Sequence, residues 1–190
     1  MQPKIWITSD LHFWHKNILR YNPVTRVWDT VEEMNAALIE EWNSKVAKGD
    51  IIYHNGDFSF GSPTKTEEIL RQLNGQKVFI EGNHDRGKNR ILLKKYGEYH
   101  TYKEISWISP DGKKVKVCLF HFPMEEWNVK HHGSIHLHGH CHGTKPRWGR
   151  RLDVGYDSLG KIYSLDEVCQ WLYTCEPEYA QGDHQWSHAR

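Results

Sequence analysis

The chain has 190 residues, enough for one domain with a full hydrophobic core. Hydrophobic residues make up 38% and charged residues 26% of the sequence, which argues against a disordered or a membrane-spanning chain. A formal net charge of +1 gives no support to a general role in coating polyanions. No secretory signal precedes the first strand and the four cysteines lack C-x-x-C spacing, so we expect a cytoplasmic protein with reduced thiols.

The first half of the chain predicts alternating strands and helices. Apolar runs predict buried strands at Lys4–Thr8, Ile51–Tyr53 and Lys77–Ile80. The helices predicted around them are His15–Tyr21, one opened by a capping box at Thr30, one opened by a capping box at Thr64, and Ile91–Tyr96. This alternation implies parallel strands joined by right-handed crossovers.

The second half is predicted to be mostly β-structure. Glu104–Ile108 and Lys114–Phe120 flank Pro110-Asp111-Gly112, which is a hairpin signal. The remaining predicted elements are a strand at Ser134–His138, an antiparallel pair near Leu152–Gly155 and Ile162–Tyr163, and a last helix capped by Ser164. Residues 1–175 are therefore expected to form one α/β domain of two packed sheets with helices on the outer faces, followed by a flexible tail at 176–190.

Side chains that can bind metal ions follow several of the predicted strands. They are Asp10, His12, Asp57, Asn83, His121, His140 and His142. Ligands at successive strand ends can converge on one crevice, although they are far apart in the sequence. Two divalent ions outweigh the two aspartates in charge, so the site favours a bound hydroxide and an anionic substrate. Oxygen and nitrogen ligands without thiolate suit manganese first, with iron, zinc, nickel or cobalt as alternatives.

The order of these motifs is specific. The series D-x-H, G-D, G-N-H-D, H and G-H-x-H resembles the calcineurin-like metallophosphoesterase superfamily, from Asp10 to His142. The stretches Ser9–Ile18 and Tyr53–Phe58 resemble a compact prokaryotic and phage branch of it. The resemblance implies a four-layer α/β/β/α sandwich of two mixed sheets and a dinuclear metal centre.

The resemblance also implies a role for each motif residue. One metal would be held by Asp10, His12 and His142, the other by Asn83, His121 and His140, and Asp57 would bridge them. His84 would donate a proton to the leaving oxygen or stabilise the phosphoryl charge, and Asp85 would orient that histidine.

The chain departs from the superfamily pattern at three places. Protein serine/threonine phosphatases of the superfamily carry an arginine shortly after the second-motif aspartate, where this chain has Phe58-Ser59-Phe60-Gly61. A protein phosphatase is therefore disfavoured. The compact branch often has glycine where Trp14 stands, and a hydrophobic residue where Asn55 stands.

Two loops are candidates for substrate contact. His15 and Asn17 open the predicted helix after the first motif, where a helix N-terminus can meet phosphate. A basic group that includes Arg147 and Arg150 surrounds Trp148, and basic residues beside an aromatic ring can grip a nucleotide or a nucleic-acid strand. Simple capping and surface roles are the alternatives.

Together these features predict a metal-dependent phosphoric ester hydrolase in which a metal-bound hydroxide attacks phosphorus. The expected partner is a small phosphorylated substrate, with a lean to phosphodiesters or nucleotides, acted on by a monomer or small homo-oligomer away from membranes. One alternative is a small nuclease acting on RNA or DNA, favoured by the basic group around Trp148. Another is a non-catalytic scaffold that binds a partner protein, against which the retention of His84 and all seven ligands argues.

Overall fold

Four parallel strands form most of the first sheet. The computed structural model describes residues 3–145 and 147–176, so the tail expected at 176–190 lies almost wholly outside the described residues. The strands are β1 (Ile5–Thr8), β2 (Ile51–His54), β3 (Gln76–Ile80) and β4 (Gly97–His100), in the order β4-β3-β2-β1. Strand β4 was not predicted, and it pairs parallel to β3. The three predicted strands are confirmed.

The second sheet has the order β5-β6-β7-β8. Its strands are β5 (Tyr102–Ile108), β6 (Lys114–Phe120), β7 (Ile135–His138) and β8 (Arg151–Asp153). The predicted hairpin is confirmed, since β5 and β6 pair antiparallel. The other two strand pairs of this sheet, β6 with β7 and β7 with β8, are parallel.

The predicted antiparallel pair near Leu152–Gly155 and Ile162–Tyr163 is wrong. Its first segment is β8, which lies in the second sheet. The second segment is β9 (Tyr163–Ser164), which pairs antiparallel with β1 in the first sheet. Segments of two or three residues carry too little pattern to specify a partner, so pairing here depends on tertiary contacts.

Helices cover the outer face of the first sheet. They are α1 (Ile18–Tyr21), α2 (Val31–Lys45), α3 (Pro63–Gln72) and α4 (Gly87–Tyr96). The helix α2 buries Met34, Leu38 and Trp42 against sheet residues such as Ile52 and Phe79. The short α5 (Tyr156–Leu159) and α6 (Leu165–Tyr173) follow β8.

A second hydrophobic core fills the space between the sheets. Ile7 and Val78 of the first sheet pack there with Leu119 and Leu137 of the second, and α6 contributes residues such as Leu172. The segment before β7 lies on the outer face of the second sheet and contains a 3₁₀ turn at Lys130–His132. Trp127 of this segment packs on His136 of β7, with ring centroids 5.4 Å apart. The prediction of two mixed sheets flanked by helices is confirmed.

The predicted capping box at Thr30 is confirmed, and so is the predicted cap at Ser164, which also forms a capping box. The one predicted at Thr64 is wrong. There Ser62 is the N-cap and accepts a hydrogen bond from the Lys65 backbone N–H, while Pro63 occupies the first helical position. Proline has the backbone angle of a first helical residue and lacks the N–H that would have no partner there. The helix therefore begins at Pro63, before the predicted cap Thr64. No helix in the described ranges is long and apolar enough to cross a bilayer.

Candidate metal centre

The ligand-bearing turns meet where strands of both sheets end. The backbone N–H of Asp10 donates to the Gly56 carbonyl at 3.0 Å, and that of Gly139 donates to the His121 carbonyl at 2.9 Å. A Cβ at Gly139 would collide with the Ser9 hydroxyl and the Asp10 carboxylate, so only glycine lets the turns approach this closely. The predicted convergence of the strand-end motifs is therefore observed.

The first ligand set is formed by Asp10, His12 and His142. Asp10 Oδ1 lies 3.5 Å from His12 Nε2 and 3.8 Å from His142 Nε2. Asp10 Oδ1 and both ring nitrogens of His12 are buried and have no hydrogen-bond partner among the described residues. Buried polar atoms normally have partners, and a cation at this point would supply one.

The second set surrounds Asn83. Its Oδ1 lies 2.9 Å from His121 Nε2 and 2.9 Å from His140 Nδ1. Ligands sharing one ion at about 2.1 Å stand roughly 3.0–3.4 Å apart, so these three atoms are close enough to share a metal ion. His121 Nδ1 donates to the Asn55 carbonyl at 2.7 Å, which aims Nε2 into the site.

Asp57 lies between the two sets. Its Oδ2 is 3.8 Å from His12 Nε2 and 3.5 Å from His121 Nε2, one ligand from each set. Its Oδ1 accepts the backbone N–H of His84 at 2.8 Å. This is the position that a bridging carboxylate needs.

The electrostatics of the site favour cations. Burial alone would raise the pKa of Asp10 and Asp57, but the neighbouring histidines hold both values below the ordinary aspartate range. Burial would lower the pKa of His121, but hydrogen bonding to Asp57 and the charge of Asp10 raise it to about 9. Two ionised carboxylates thus share a buried site and attract positive charge.

Five of the seven ligand residues have left-handed backbone angles. Asp10, His12, Asp57, His140 and His142 have φ values of 54°, 51°, 59°, 68° and 48°. Such angles are unfavourable for residues other than glycine and concentrate at functional sites. The same holds for Trp14, whose φ of 65° explains why glycine suits that position.

An interaction network behind the first set was not predicted. His142 Nδ1 lies 2.6 Å from Asp157 Oδ2, and Arg26 Nε donates to Asp157 Oδ1 at 2.6 Å. The buried Arg26 guanidinium also donates to the backbone carbonyls of Asp10 at 2.6 Å and Leu11 at 3.1 Å. A carboxylate that accepts the second ring N–H of a histidine ligand fixes its tautomer and orientation.

The comparisons with known proteins agree with this geometry. The calcineurin-like phosphoesterase family matches residues 3–148, which include all seven ligands. The chain belongs to the calcineurin-like phosphoesterase family. Membership supports a metal-dependent phosphoesterase with a dinuclear divalent metal centre, and the ligand groups fit such a centre.

Individual relatives are compact proteins. An uncharacterized protein of Methanocaldococcus jannaschii is 37% identical over 143 residues, covering 74% of this chain and 70% of that protein. The gene 66 protein of Mycobacterium phage L5 is 31% identical over 191 residues, covering 86% and 91%. The crystal structure of a protein of unknown function from Aquifex aeolicus superposes with a TM-score of 0.68 at 23% identity, covering 88% and 98%. The phage relative confirms the compact branch, and the Aquifex structure confirms the fold.

The His84 ring lies beside Asp57, but the Asp85 carboxylate makes its hydrogen bonds elsewhere. The His84 side chain is 47% exposed, and its Nε2 lies 4.0 Å from Asp57 Oδ2. Asp85 was expected to orient this ring, and that role is wrong. The buried Asp85 carboxylate accepts the backbone N–H groups of Asp57, Phe58 and Gly82 instead. Asp85 therefore shapes the turn that carries the bridging aspartate.

Asn55 links the two sheets just before the second motif. Its side-chain Nδ2 donates to the Leu137 carbonyl at 2.8 Å, and its own carbonyl accepts from His121 Nδ1. A hydrophobic side chain at this position could not make the first of these bonds. Asn55 thus ties the end of β2 to β7 and aligns a ligand of the second set.

The first candidate substrate loop lies partly at the site. The His15 ring lies 5.5 Å from the His12 ring, centroid to centroid, and burial together with nearby His12 lowers its pKa to about 4. Asn17 is exposed and is the N-cap of α1, and its side chain makes no capping hydrogen bond. With only four residues, α1 presents little helix dipole to a phosphate.

Arg150 of the second candidate loop is not at the site. Gly155 pairs with Ser9, next to the ligand Asp10. Arg150 precedes Gly155 by five residues, and five residues of extended strand span about 16 Å. Its guanidinium donates to the carbonyls of Gly133, Tyr173 and Cys175. A substrate-binding role for Arg150 is therefore wrong, and the nuclease alternative loses one of the residues that favoured it.

Arg147 of the same loop faces the last helix. Its guanidinium lies 5.9 Å from the centre of the Trp171 ring, and it donates to the Gly149 carbonyl at 2.8 Å. Its predicted contact with substrate thus finds no support in the geometry. Arg147 and Arg150 thus both contact the C-terminal segment.

Replacing Arg150 with alanine is expected to lower the free energy of unfolding by about 1–3 kcal/mol, because three carbonyls lose a charged donor. Urea unfolding measures this change. Arg147→Ala, which removes one exposed hydrogen bond, serves as the matched control and should cost under about 0.5 kcal/mol. A rise in KM for Arg150→Ala at unchanged stability would contradict the structural role.

Two partly exposed phenyl rings flank the centre, and neither was predicted as a site residue. Phe60 is 38% exposed and its ring centroid lies 5.1 Å from that of His12. Phe122 is 37% exposed and lies 4.6 Å from the ring of His140. Each ligand set therefore has a partly exposed apolar ring beside it.

Proposed function

We propose that this chain hydrolyses small phosphate esters, with phosphodiesters or nucleotide-type esters as its preferred substrates. The observation that carries the proposal is the position of Asp57 between two ligand sets, with the His84 ring beside it. A non-catalytic scaffold has no need of a proton donor held at that point.

The residues present fit two divalent ions, with manganese first and iron, zinc, nickel or cobalt as alternatives. Asp10, His12 and His142 would hold one ion, Asn83, His121 and His140 would hold the other, and Asp57 would contribute to both. When bound, such ions neutralise phosphoryl charge and make a coordinated water nucleophilic near neutral pH.

The chain's own contribution centres on His84. Its backbone N–H is fixed by Asp57 Oδ1, so the ring stands at a defined place on the open side of the site. The attacking water releases one proton to solvent, and its oxygen bonds to phosphorus as the bond from phosphorus to the leaving oxygen breaks. A proton passes from the His84 ring to that oxygen, and the ring then regains a proton from solvent. Burial lowers the pKa of His84 although Asp57 opposes it, so the protonated ring is a stronger acid and is less populated near neutral pH.

The apolar flanks support esters that carry an organic group on the leaving oxygen. Phe60 occupies the region where protein phosphatases of the superfamily carry an arginine. The second negative charge of a phosphomonoester would therefore have no arginine there to pair with. A phosphodiester bears less negative charge than a monoester and needs fewer cations to hold it. This favours diesters and nucleotide-type substrates over phosphoproteins.

The test is hydrolysis of 4-nitrophenyl phosphate and bis(4-nitrophenyl) phosphate by chain that has been stripped of metal and then supplied with Mn²⁺, Ni²⁺ or Zn²⁺. Turnover is expected only after a metal is added, and the diester is expected to be the better substrate. Chelation with EDTA should return the rate to background. Absence of turnover with every metal would sink the proposal.

Replacing His84 with alanine is expected to lower kcat about 10²- to 10⁴-fold for an ester with an alkyl leaving group, because the proton donor is lost. The loss should be far smaller for a 4-nitrophenyl leaving group, which departs without a proton. His100→Ala, a partly exposed histidine on β4, is the matched control. Equal losses for both leaving groups would show that His84 is not the proton donor.

A further inference from the structure

Phe60 lies on the same side of the site as His84. Its ring centroid is 4.7 Å from that of His84, the proposed proton donor. The rings of His12 and His15 also contact it, at 5.1 Å and 4.1 Å. With three imidazoles around it and 38% of its surface exposed, the phenyl ring forms an apolar wall beside His84.

The backbone around Phe60 is held firmly. The Phe60 N–H donates to the Phe13 carbonyl at 2.8 Å, and Asn89 Nδ2 donates to the Gly61 carbonyl at 2.9 Å. The Gly61 N–H donates to Ser59 Oγ at 3.1 Å, which in turn lies 2.9 Å from Thr66 Oγ1. A ring whose backbone is fixed in this way can receive a ligand without the cost of ordering a loop.

Phe122 differs from Phe60 in the part of the site that it faces. It packs against His140 and His121 of the second ligand set, with centroids 4.6 Å and 5.1 Å away. The proton donor His84 contacts Phe60 instead. Because a leaving group must lie next to its proton donor, the two phenyl rings are expected to contact different parts of the substrate.

We propose that Phe60 is the specificity-determining platform on which a planar aromatic ring of the leaving alcohol stacks. The ring is either the base of a nucleoside or the aryl group of a phenol-type ester. This inference deepens the proposed function. It rests on that function at one point, the role of His84 as proton donor, which places the leaving alcohol next to Phe60. Stacking of a base on an aromatic side chain strengthens binding by about 5- to 150-fold.

The first experiment compares kcat/KM for two phosphodiesters whose leaving alcohols have similar acidity, one phenyl and one hexafluoroisopropyl. Wild type should prefer the phenyl ester by about tenfold. Phe60→Leu keeps most of the volume but removes the π-face, and the preference should fall to near one. Phe60→Trp should restore it.

Two variants serve as controls for this ratio. Phe122→Ala removes the other phenyl ring, and Ile91→Ala removes an exposed aliphatic side chain from α4. Both should keep the phenyl preference of wild type. If Phe60→Leu lowers the rates for both esters by the same factor, Phe60 only packs against His12 and the inference is wrong.

A second experiment does not need turnover. With Mn²⁺ present, titration calorimetry compares binding of adenosine 5′-monophosphate with that of ribose 5-phosphate, which lacks the base. Tighter binding of the nucleotide that disappears in Phe60→Leu supports the inference and identifies a nucleoside as the source of the ring. Equal binding, with a phenyl preference in the kinetics, identifies an aryl ester instead.

The two proposals fail in different ways. If wild type hydrolyses none of the esters but binds the nucleotide more tightly through Phe60, the hydrolase proposal fails and the platform stands. If hydrolysis proceeds without any aromatic preference, and the two ribose compounds bind equally, the platform is wrong and the hydrolase proposal stands.

Discussion

Asp57→Asn is expected to reduce kcat for phosphodiester hydrolysis by about 10³-fold or more. Asparagine has one carbonyl oxygen and no charge, so it cannot join two cations as the carboxylate does. A metal pair contributes several kcal/mol of charge stabilisation, and about 4 kcal/mol corresponds to this loss. Initial rates with saturating Mn²⁺ measure it, and metal content per chain should fall below two.

Asp50→Asn is the matched control for this variant. Asp50 is also a buried aspartate next to β2, but it lies at the opposite end of the strand. Its carboxylate accepts hydrogen bonds from the Lys4 and Ala47 backbone and from the Trp6 indole. The change should lower stability and leave the metal content intact. A full metal complement in Asp57→Asn would argue against the bridging position.

Asp157→Ala is expected to lower both stability and metal affinity. The Arg26 guanidinium would remain buried without its carboxylate, and breaking a buried ion pair from one side costs about 3–5 kcal/mol. His142 would lose the acceptor that holds its Nδ1, and losses of this kind weaken metal binding about 10- to 100-fold. Urea unfolding and competitive chelator titration measure the two effects separately.

The double variant Arg26→Met with Asp157→Leu separates the two effects. Replacing both members of a buried pair by apolar side chains is often neutral for stability. The free energy of unfolding should therefore recover in part, since the Asp10 and Leu11 carbonyls still lose the Arg26 donor, while the metal affinity stays low because His142 still lacks its acceptor. If metal affinity recovers together with stability, Asp157 acts only through the fold and does not position His142.

The ligand residues were predictable because their signals are local and ordered. Asp10 and Asp57 follow strands that the apolar runs reveal, and parallel strands place their carboxyl ends at one edge of a sheet. The turn residues Gly56 and Gly139 stand where the chain approaches itself closely. Each of these inferences needs only a short window of sequence and the rules of sheet geometry.

Arg26 and Asp157 could not be found in this way. They are 131 residues apart, lie outside the motifs, and act through contacts that exist only in the folded chain. Asp85 was assigned to the wrong partner because adjacency in the sequence does not say which way a carboxylate points within a tight turn. Arg150 was misplaced for a related reason, since the parallel course of β8 carries it away from the ligands.

The left-handed ligand residues affect how the chain can evolve. Each costs about 1–2 kcal/mol, so five of them together rival the net stability of about 5–15 kcal/mol that a domain usually has. Glycine at any of these five positions would relieve the strain while removing a ligand. Selection for stability alone would therefore replace these ligand residues. A chain selected for turnover keeps them, and the rest of its fold must offset the strain.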